Sequence, residues 1–389
     1  MSKKKILWVV FDFVQAGGQR YVYEICKALD KQKYQIDILH VNDFNADKNW
    51  QDEYYYQPTL DLGCTIYNLT EIFRTSIEQL SPFKKKINKI CKKLFSKILF
   101  NDKRMKKEKF CLEKLFEKYN YVNFSGIGVY NAVCISRGLH PANALINILT
   151  GKFQGIDIYK GYDKNLFYQF VSGFELEGLK QELSEFTNYK HTYLPLSLEC
   201  QPYSAGLDFN RKKLVIGIFT RLSFMKPLDP YFYALKLLLE QGVDVELKVY
   251  GAGDPVALGF SRQLEYLYLK DRVRFCGHVE SIPETLKREK FDLIWFQSTN
   301  KQLAGYAALE IALGAVPQVL WDFNSLETES PIEEVFKSFT NLTQFVAYTK
   351  MLLSSKELLC TIGSKQQQHI LEYHSIDKNI SLLEAIYAI

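Results

Sequence analysis

The sequence predicts an α/β protein of two halves, each a parallel sheet with helices on both faces. Three observations carry this expectation. At 389 residues the chain exceeds one ordinary hydrophobic core, so two domains of roughly 150–200 residues are expected. Short apolar runs alternate with stretches of helical periodicity, the pattern of strands joined by crossover helices. Glycine-bearing turns come after several of these runs, at the strand ends where open α/β sheets bind ligands.

The first half opens on an expected strand at 5–11, where Ile6-Leu7-Trp8-Val9-Val10-Phe11 is apolar throughout. That run comes after Lys3-Lys4-Lys5, yet it is too short to cross a bilayer and lacks a small-residue cleavage site, so it reads as a buried strand and not as an export signal. A turn through Ala16-Gly17-Gly18-Gln19, a helix over 20–31 and a strand over 36–41 complete the first unit. Strands at 121–124, 144–149 and 166–172 and a helix over 176–186 come next. The second half is clearer. Strand 214–219, helix 229–241, strand 245–250, helix 261–269, strand 273–275, a helix from 282, strand 293–297, a helix after Gly305 and strand 318–321 alternate without a gap. Irregular sequence around Leu194-Pro195-Leu196 and over 204–211 marks the join. The expected domains are 1–203, 204–371 and a terminal helix, 372–389, with no internal repeat.

Hydrophobic residues make up 47% and charged residues 24% of the chain, the balance of a soluble globular protein. Cys26, Cys64, Cys91, Cys111, Cys134, Cys200, Cys276 and Cys360 are scattered, with no Cys-x-x-Cys pair. This points away from zinc and toward reduced thiols in the cytoplasm. The net charge of +5 is unevenly placed. Between Lys84 and Lys107, eleven Lys and Arg residues face one acid, Asp102, while Ile87, Ile90, Cys91, Leu94, Phe95, Ile98 and Leu99 recur at three- and four-residue steps. This insert, 83–110, reads as a basic amphipathic helix. Two readings stay open for it. Lys85, Lys89, Lys92 and Lys93 would face an anionic membrane, each contributing about 1 kcal/mol, or they form a solvated face above an apolar stripe docked on its own domain. Nucleic acid is discounted, because the segment has few aromatics to stack bases and no binding motif around it.

The segment Gln302-Leu303-Ala304-Gly305-Tyr306-Ala307-Ala308-Leu309-Glu310, running on to Gly314-Ala315-Val316-Pro317, reads as a loop entering a helix. Small residues let backbone N–H groups approach an anion, and the helix adds about half a positive charge at its amino end. A carboxylate farther along the helix can accept hydrogen bonds from sugar hydroxyls. The segment resembles the Glu, seven residues, Glu motif of family-four retaining glycosyltransferases, usually Glu-Gly-Phe-Gly, four residues, Glu-Ala, then Gly-x-Pro. Gly305, Glu310, Gly314 and Pro317 fall in register; Gln302 stands where the family has its first glutamate. The resemblance implies the GT-B fold, with two Rossmann-like domains facing a cleft and a C-terminal helix crossing back to the first. It also implies that position 302 faces the donor sugar, that Leu303, Ala304 and Gly305 line the phosphate, and that Glu310 holds the ribose.

Other motifs extend the resemblance. Gly17-Gly18 is similar to the family's Gly-Gly loop, which lets the backbone approach donor diphosphate and acceptor; a plain tight turn is the alternative. Phe219-Thr220-Arg221-Leu222-Ser223-Phe224-Met225-Lys226-Pro227 resembles Gly-Arg-Leu, a short spacer and Lys-Gly, whose two cations bind the diphosphate. The chemistry asks for fixed positive charge there, since a departing nucleoside diphosphate gains negative charge. Gly251-Ala252-Gly253-Asp254 is similar to a Gly-x-Gly turn of structural role. Val273-Arg274-Phe275-Cys276-Gly277-His278 resembles the strand end that seats the nucleobase, so Gly277 and His278 are expected near the base, or His278 is an ordinary surface histidine. The family's first-domain histidine has no counterpart at Ile148-Leu149-Thr150-Gly151, and neither His140 nor His191 replaces it.

The catalytic expectation is therefore Arg221, Lys226 and Gln302, with a UDP- or GDP-sugar donor, a glycan or lipid-linked acceptor, and no cofactor or metal. The expected location is cytoplasmic, at the inner face of the membrane. A non-catalytic relative that binds a partner glycosyltransferase or a glycan is the alternative that Gln302 raises. A nucleotide-sugar epimerase of the same fold is disfavoured, because no acid/base pair is evident.

Overall fold

The structure is a computed structural model that describes residues 3–41, 53–78, 97–149, 167–172, 190–208, 211–224, 226–299, 302–303, 305–323 and 335–388. Lys85, Lys89, Lys92, Lys93, Ala304, Met225 and the helix expected over 176–186 lie outside the described residues. The chain forms two compact units. Among the described residues, the first comprises those up to Leu194 together with those from Asn379 onward, and the second comprises Pro195–Lys378.

The first unit runs β1 (Lys4–Val10), α1 (Gly17–Ala28), β2 (Tyr34–His40), α2 (Tyr56–Asp61), β3 (Thr65–Asn68), α3 (Leu69–Glu78), α4 (Lys97–Phe116), β4 (Tyr121–Phe124), α5 (Ile127–Val133), β5 (Ala144–Leu149), β6 (Phe167–Ser172) and β7 (Lys190–Pro195). Its sheet has the order β3-β2-β1-β4-β5-β6-β7. Strand β1, in the interior of the sheet, pairs in parallel with β2 and β4. Its apolar run is buried on both faces, with Ile6, Leu7, Trp8 and Val9 all at 0% exposure, as a parallel strand covered by helices requires. Two buried hydroxyls are paired across the unit: Tyr21 donates to Asn147 Oδ1 at 3.2 Å, and Tyr119 to Asp37 Oδ2 at 2.8 Å.

The second unit runs β8 (Leu214–Phe219), α6 (Asp229–Glu240), β9 (Val245–Tyr250), α7 (Phe260–Tyr266), β10 (Val273–Gly277), α8 (Ile282–Glu289), β11 (Leu293–Thr299), β12 (Gln302–Leu303), α9 (Tyr306–Leu313), β13 (Gln318–Asp322), β14 (Ser338–Phe339), α10 (Leu342–Leu353) and α11 (Lys356–Tyr373). The order is β10-β9-β8-β11-β13-β14, parallel throughout, with β12 paired to β11. One core joins Tyr231, Phe232 and Leu235 of α6 to Leu247, Trp295 and Phe345. Gly217 on β8 is required there, since a Cβ would lie 2.6 Å from Ile294 and 2.9 Å from Phe291.

Several elements differ from expectation; β7, for one, runs to Pro195, where irregular sequence is expected around 194–196. Helix α1 begins at Gly17 instead of residue 20, because Ala16 is extended and its carbonyl accepts from Arg20 N at 3.0 Å, closing the first turn around both glycines. The expected phosphate loop contains β12. The terminal helix expected over 372–389 is α12 (Ile376–Ile386), set off from α11 by a break at His374-Ser375. There the backbone pairs with Leu198, whose N–H donates to His374 O at 3.0 Å and whose carbonyl accepts from Ile376 N at 2.9 Å. From Asn379 on, α12 packs in the first unit. Tyr387, just past it, is fully buried and donates to Asn123 Oδ1 at 3.2 Å. Among the described residues, no helix is long and apolar enough to cross a membrane.

Candidate functional site

At the carboxyl end of β8 the chain passes from Phe219 into the loop that carries Arg221 and Lys226. Two backbone bonds tie this loop to the turn after β9: Thr220 N donates to Tyr250 O at 2.9 Å and Leu222 N to Ala252 O at 2.8 Å. That turn is tied in its own right to β10, through Gly251 N and Gly277 O at 2.7 Å. The approach needs glycine. A Cβ on Gly251 (φ +152°) would lie 1.8 Å from Thr220 O, and one on Gly253 (φ +134°) 2.6 Å from Leu222 Cβ. The Gly-Ala-Gly turn thus acts as a backbone buttress beneath the cationic loop.

Arg221 is exposed and Lys226 half-buried. Burial pushes the Lys226 ammonium below its usual pKa, and the Arg221 charge pushes it further the same way. Among the described residues, neither side chain has a carboxylate partner. Two cations that repel each other at a strand end are stabilised when an anion joins them. Gln297, the buried residue near the end of β11, reaches the same loop, donating Nε2 to Pro227 O at 3.1 Å. In the sequence Gln297 marks no more than a strand terminus, and a lone amide ending an apolar run is the one signal that could single it out.

The next strand over supplies the second element. Ser298 pairs with Leu303 and Thr299 with Gln302, antiparallel, so the chain folds back on β11 before entering α9. Gly305 ends this hairpin at φ +83° and ψ −169°, a conformation open to glycine, with nothing within 4 Å of a Cβ position. Gly305, the N-cap of α9, offers no side-chain cap, and the first turn of the helix carries no acid. The start of the helix is anchored by buried Tyr306, which donates its hydroxyl to Ser197 O at 3.2 Å.

Glu310 lies farther along α9, partly buried. The Tyr203 hydroxyl donates to the Glu310 carbonyl at 3.0 Å, and the Tyr203 phenol is pushed up by burial and then by the charges of Glu310 and Glu284. The ring of Tyr203 also fills the space beside Gly314, where a Cβ would meet it at 2.9 Å. The carboxylate-bearing turn is therefore braced by a residue that, in the sequence, stands only at the edge of a linker.

Gly277 closes β10 at φ +78°, beside a register shift, and both it and His278 are exposed. Strand order brings the loops after β10, β9, β8 and β11 to one edge of the second sheet, so Arg221, Lys226, Gly277, His278, Gln302, Leu303 and Gly305 share that edge, with Glu310 about one turn into the helix that starts there. Gly17 and Gly18 belong to the first unit, where they form the first turn of α1, also without a side-chain cap. His140 is exposed ahead of β5, and His191 lies within β7. Among the described residues, no cluster of His, Cys, Asp or Glu could hold a metal ion.

No family model matches the chain, and no curated protein matches its sequence. Solved structures do. A variant of S. aureus TarM in complex with Fondaparinux, alpha-GlcNAc-glycerol and UDP superposes with a TM-score of 0.70 at 13% identity, covering 99% of each chain. Sucrose-phosphate synthase from Thermosynechococcus elongatus gives 0.68 at 13% identity over 99% of this chain and 98% of that one. Anabaena HepE in complex with UDP and glucose gives 0.65 at 12% identity over 99% and 100%. At such identities the likeness speaks for architecture alone: this chain of two parallel α/β units has the fold of the GT-B glycosyltransferases.

Proposed function

We propose that the protein is a glycosyltransferase that moves a sugar, with retention, from a UDP- or GDP-sugar to a glycan or lipid-linked acceptor in cell-surface glycan synthesis. The observation that carries this is the pair Arg221 and Lys226, two cations held at a strand end without a counter-ion among the described residues. A nucleoside diphosphate supplies that counter-ion. In this reading Arg221 and Lys226 offset the charge that grows on the diphosphate as the sugar–oxygen bond breaks, and the leading amides of α9 add their share. Glu310 accepts hydrogen bonds from the ribose hydroxyls. Gln302 hydrogen-bonds the donor sugar, and being neutral it orients the sugar without adding charge beside the oxocarbenium-like centre. Backbone near Gly277 and His278 seats the base, and Gly17-Gly18 admits donor and acceptor on the first unit. The lysines of the 83–110 insert would hold the enzyme on the anionic inner face of the membrane. No cofactor is invoked.

Thermal-shift screening with UDP-, GDP- and ADP-sugars, and then a hydrolysis and transfer assay on the stabilising donor, tests the reading. Stabilisation with turnover supports it. Stabilisation without turnover would favour a second reading, a non-catalytic relative that binds a partner glycosyltransferase or a glycan, which Gln302 in place of a glutamate specifically motivates. Stabilisation by none of the donors would remove the diphosphate site altogether.

A further inference from the structure

We propose that Gln297 is a positioning residue whose side-chain amide clamps the base of the cationic loop and thereby presets Arg221 and Lys226 for a diphosphate. The inference rests on the reading of that loop as a diphosphate site. Strand β11 is apolar through Leu293-Ile294-Trp295-Phe296 and then places an amide at a position only 5% exposed. A buried amide is costly unless its donors and acceptor are used. Here the partners are specific: Nε2 donates to Pro227 O at 3.1 Å, and Oε1 lies 3.5 Å from Thr220 Oγ1, a long contact in which the hydroxyl is the donor.

Thr220 immediately precedes Arg221, and Pro227 comes immediately after Lys226. One side chain therefore spans both ends of the segment that holds the two cations. The Thr220 end has further support, through its own N–H and that of Leu222. At the Lys226 end the backbone contact is local, Lys226 N to Ser223 O at 2.9 Å, and Pro227 has no N–H to offer the sheet. The like charges of Arg221 and Lys226 repel each other, which works against a closed loop until an anion joins them. An amide bolted to the central strand opposes that spreading and lowers the ordering cost of binding.

The test is calorimetry with whichever of UDP, GDP and ADP binds best, and with its nucleoside, on wild type, Gln297→Met, Thr220→Val, Lys226→Ala and the Gln297→Met/Lys226→Ala pair. Gln297→Met is expected to weaken the diphosphate roughly 3- to 10-fold, the size of one or two neutral hydrogen bonds, while leaving nucleoside affinity unchanged. In the Lys226→Ala background it should cause a smaller further loss, because part of the clamp's effect acts through that cation. Should Gln297→Met fail to fold, Thr220→Val, which keeps the shape and removes the hydroxyl, is expected to show a smaller loss of the same selectivity. Equal diphosphate affinity in the folded variants, equal losses for nucleoside and diphosphate, or full additivity with Lys226→Ala would overturn the clamp. Wild type that binds none of the three nucleotides would overturn the site reading, and the clamp with it.

Discussion

Gly251→Ala gives a sharp test of how the cationic loop is held. Gly251 sits at φ +152°, and a Cβ built there falls 1.8 Å from Thr220 O, whereas ordinary contact begins near 3.4 Å. The two backbones must part by the difference, about 1.6 Å. Thr220 cannot absorb this privately, because its N–H is bonded to Tyr250 O and the next contact, Leu222 N to Ala252 O, spans the same seam. Arg221 lies between those two bonds, so it moves. A misplacement of ~1 Å at a reacting centre can cost about 10²-fold in rate, and forcing alanine into an unfavourable backbone region costs about 1–3 kcal/mol. The variant should therefore remain folded with a lowered melting temperature and lose transfer on the order of 10²-fold, matching Arg221→Ala. Circular dichroism melts and initial-rate assays on both variants measure this. A folded Gly251→Ala protein that transfers sugar within about twofold of wild type would refute the buttress and the placement of Arg221 in the site.

The cations, the carboxylate and a buried histidine each give a separate expectation. Lys226→Ala should leave the fold intact and lower transfer on the order of 10²–10³-fold, as removal of one preorganised electrostatic contact does, read by initial rates at saturating donor. Glu310→Ala should weaken the free nucleotide by roughly 1–3 kcal/mol in calorimetry, since charge-assisted bonds to hydroxyls are lost. Gln302→Ala should slow transfer; Gln302→Glu should change it little if position 302 only orients the sugar, and raise it if charge is needed there, so an initial-rate comparison of the two variants decides the role. His374 gives a pH dependence. Burial holds its imidazole down to about 4 from an ordinary 6.5, with Nδ1 2.7 Å from Leu196 O. The unfolded chain takes up this proton first, so stability is intact above about pH 6.5 and falls as pH drops toward 4, by up to ~3 kcal/mol from this group. Urea midpoints at pH 7.5 and 5 should differ, and less so in His374→Gln; midpoints that do not move would reject the shift.

The alternation of strands and helices, and the strand-end positions of the key residues, are legible in the sequence alone. An apolar run as short as Leu214–Phe219, bounded by polar residues and rich in β-branched side chains, reads as a buried strand, and residues just past a parallel strand lie at its carboxyl edge, so Arg221 and Lys226 are recognisable as edge residues. The resemblance then supplies roles for Gly305 and Glu310. How those residues are held is a matter of tertiary packing. The contacts that brace the loop and helix join positions far apart in sequence: Gln297 to Pro227, Gly251 to Thr220, Tyr203 to Gly314, Tyr306 to Ser197. Periodicity cannot report them, because a side chain's local pattern says which face it occupies and not which backbone it meets. The break at His374-Ser375 is of the same kind. The terminal helix is expected from 372, but Leu198 offers the backbone a partner at His374-Ser375, and that pairing separates one helix from the next.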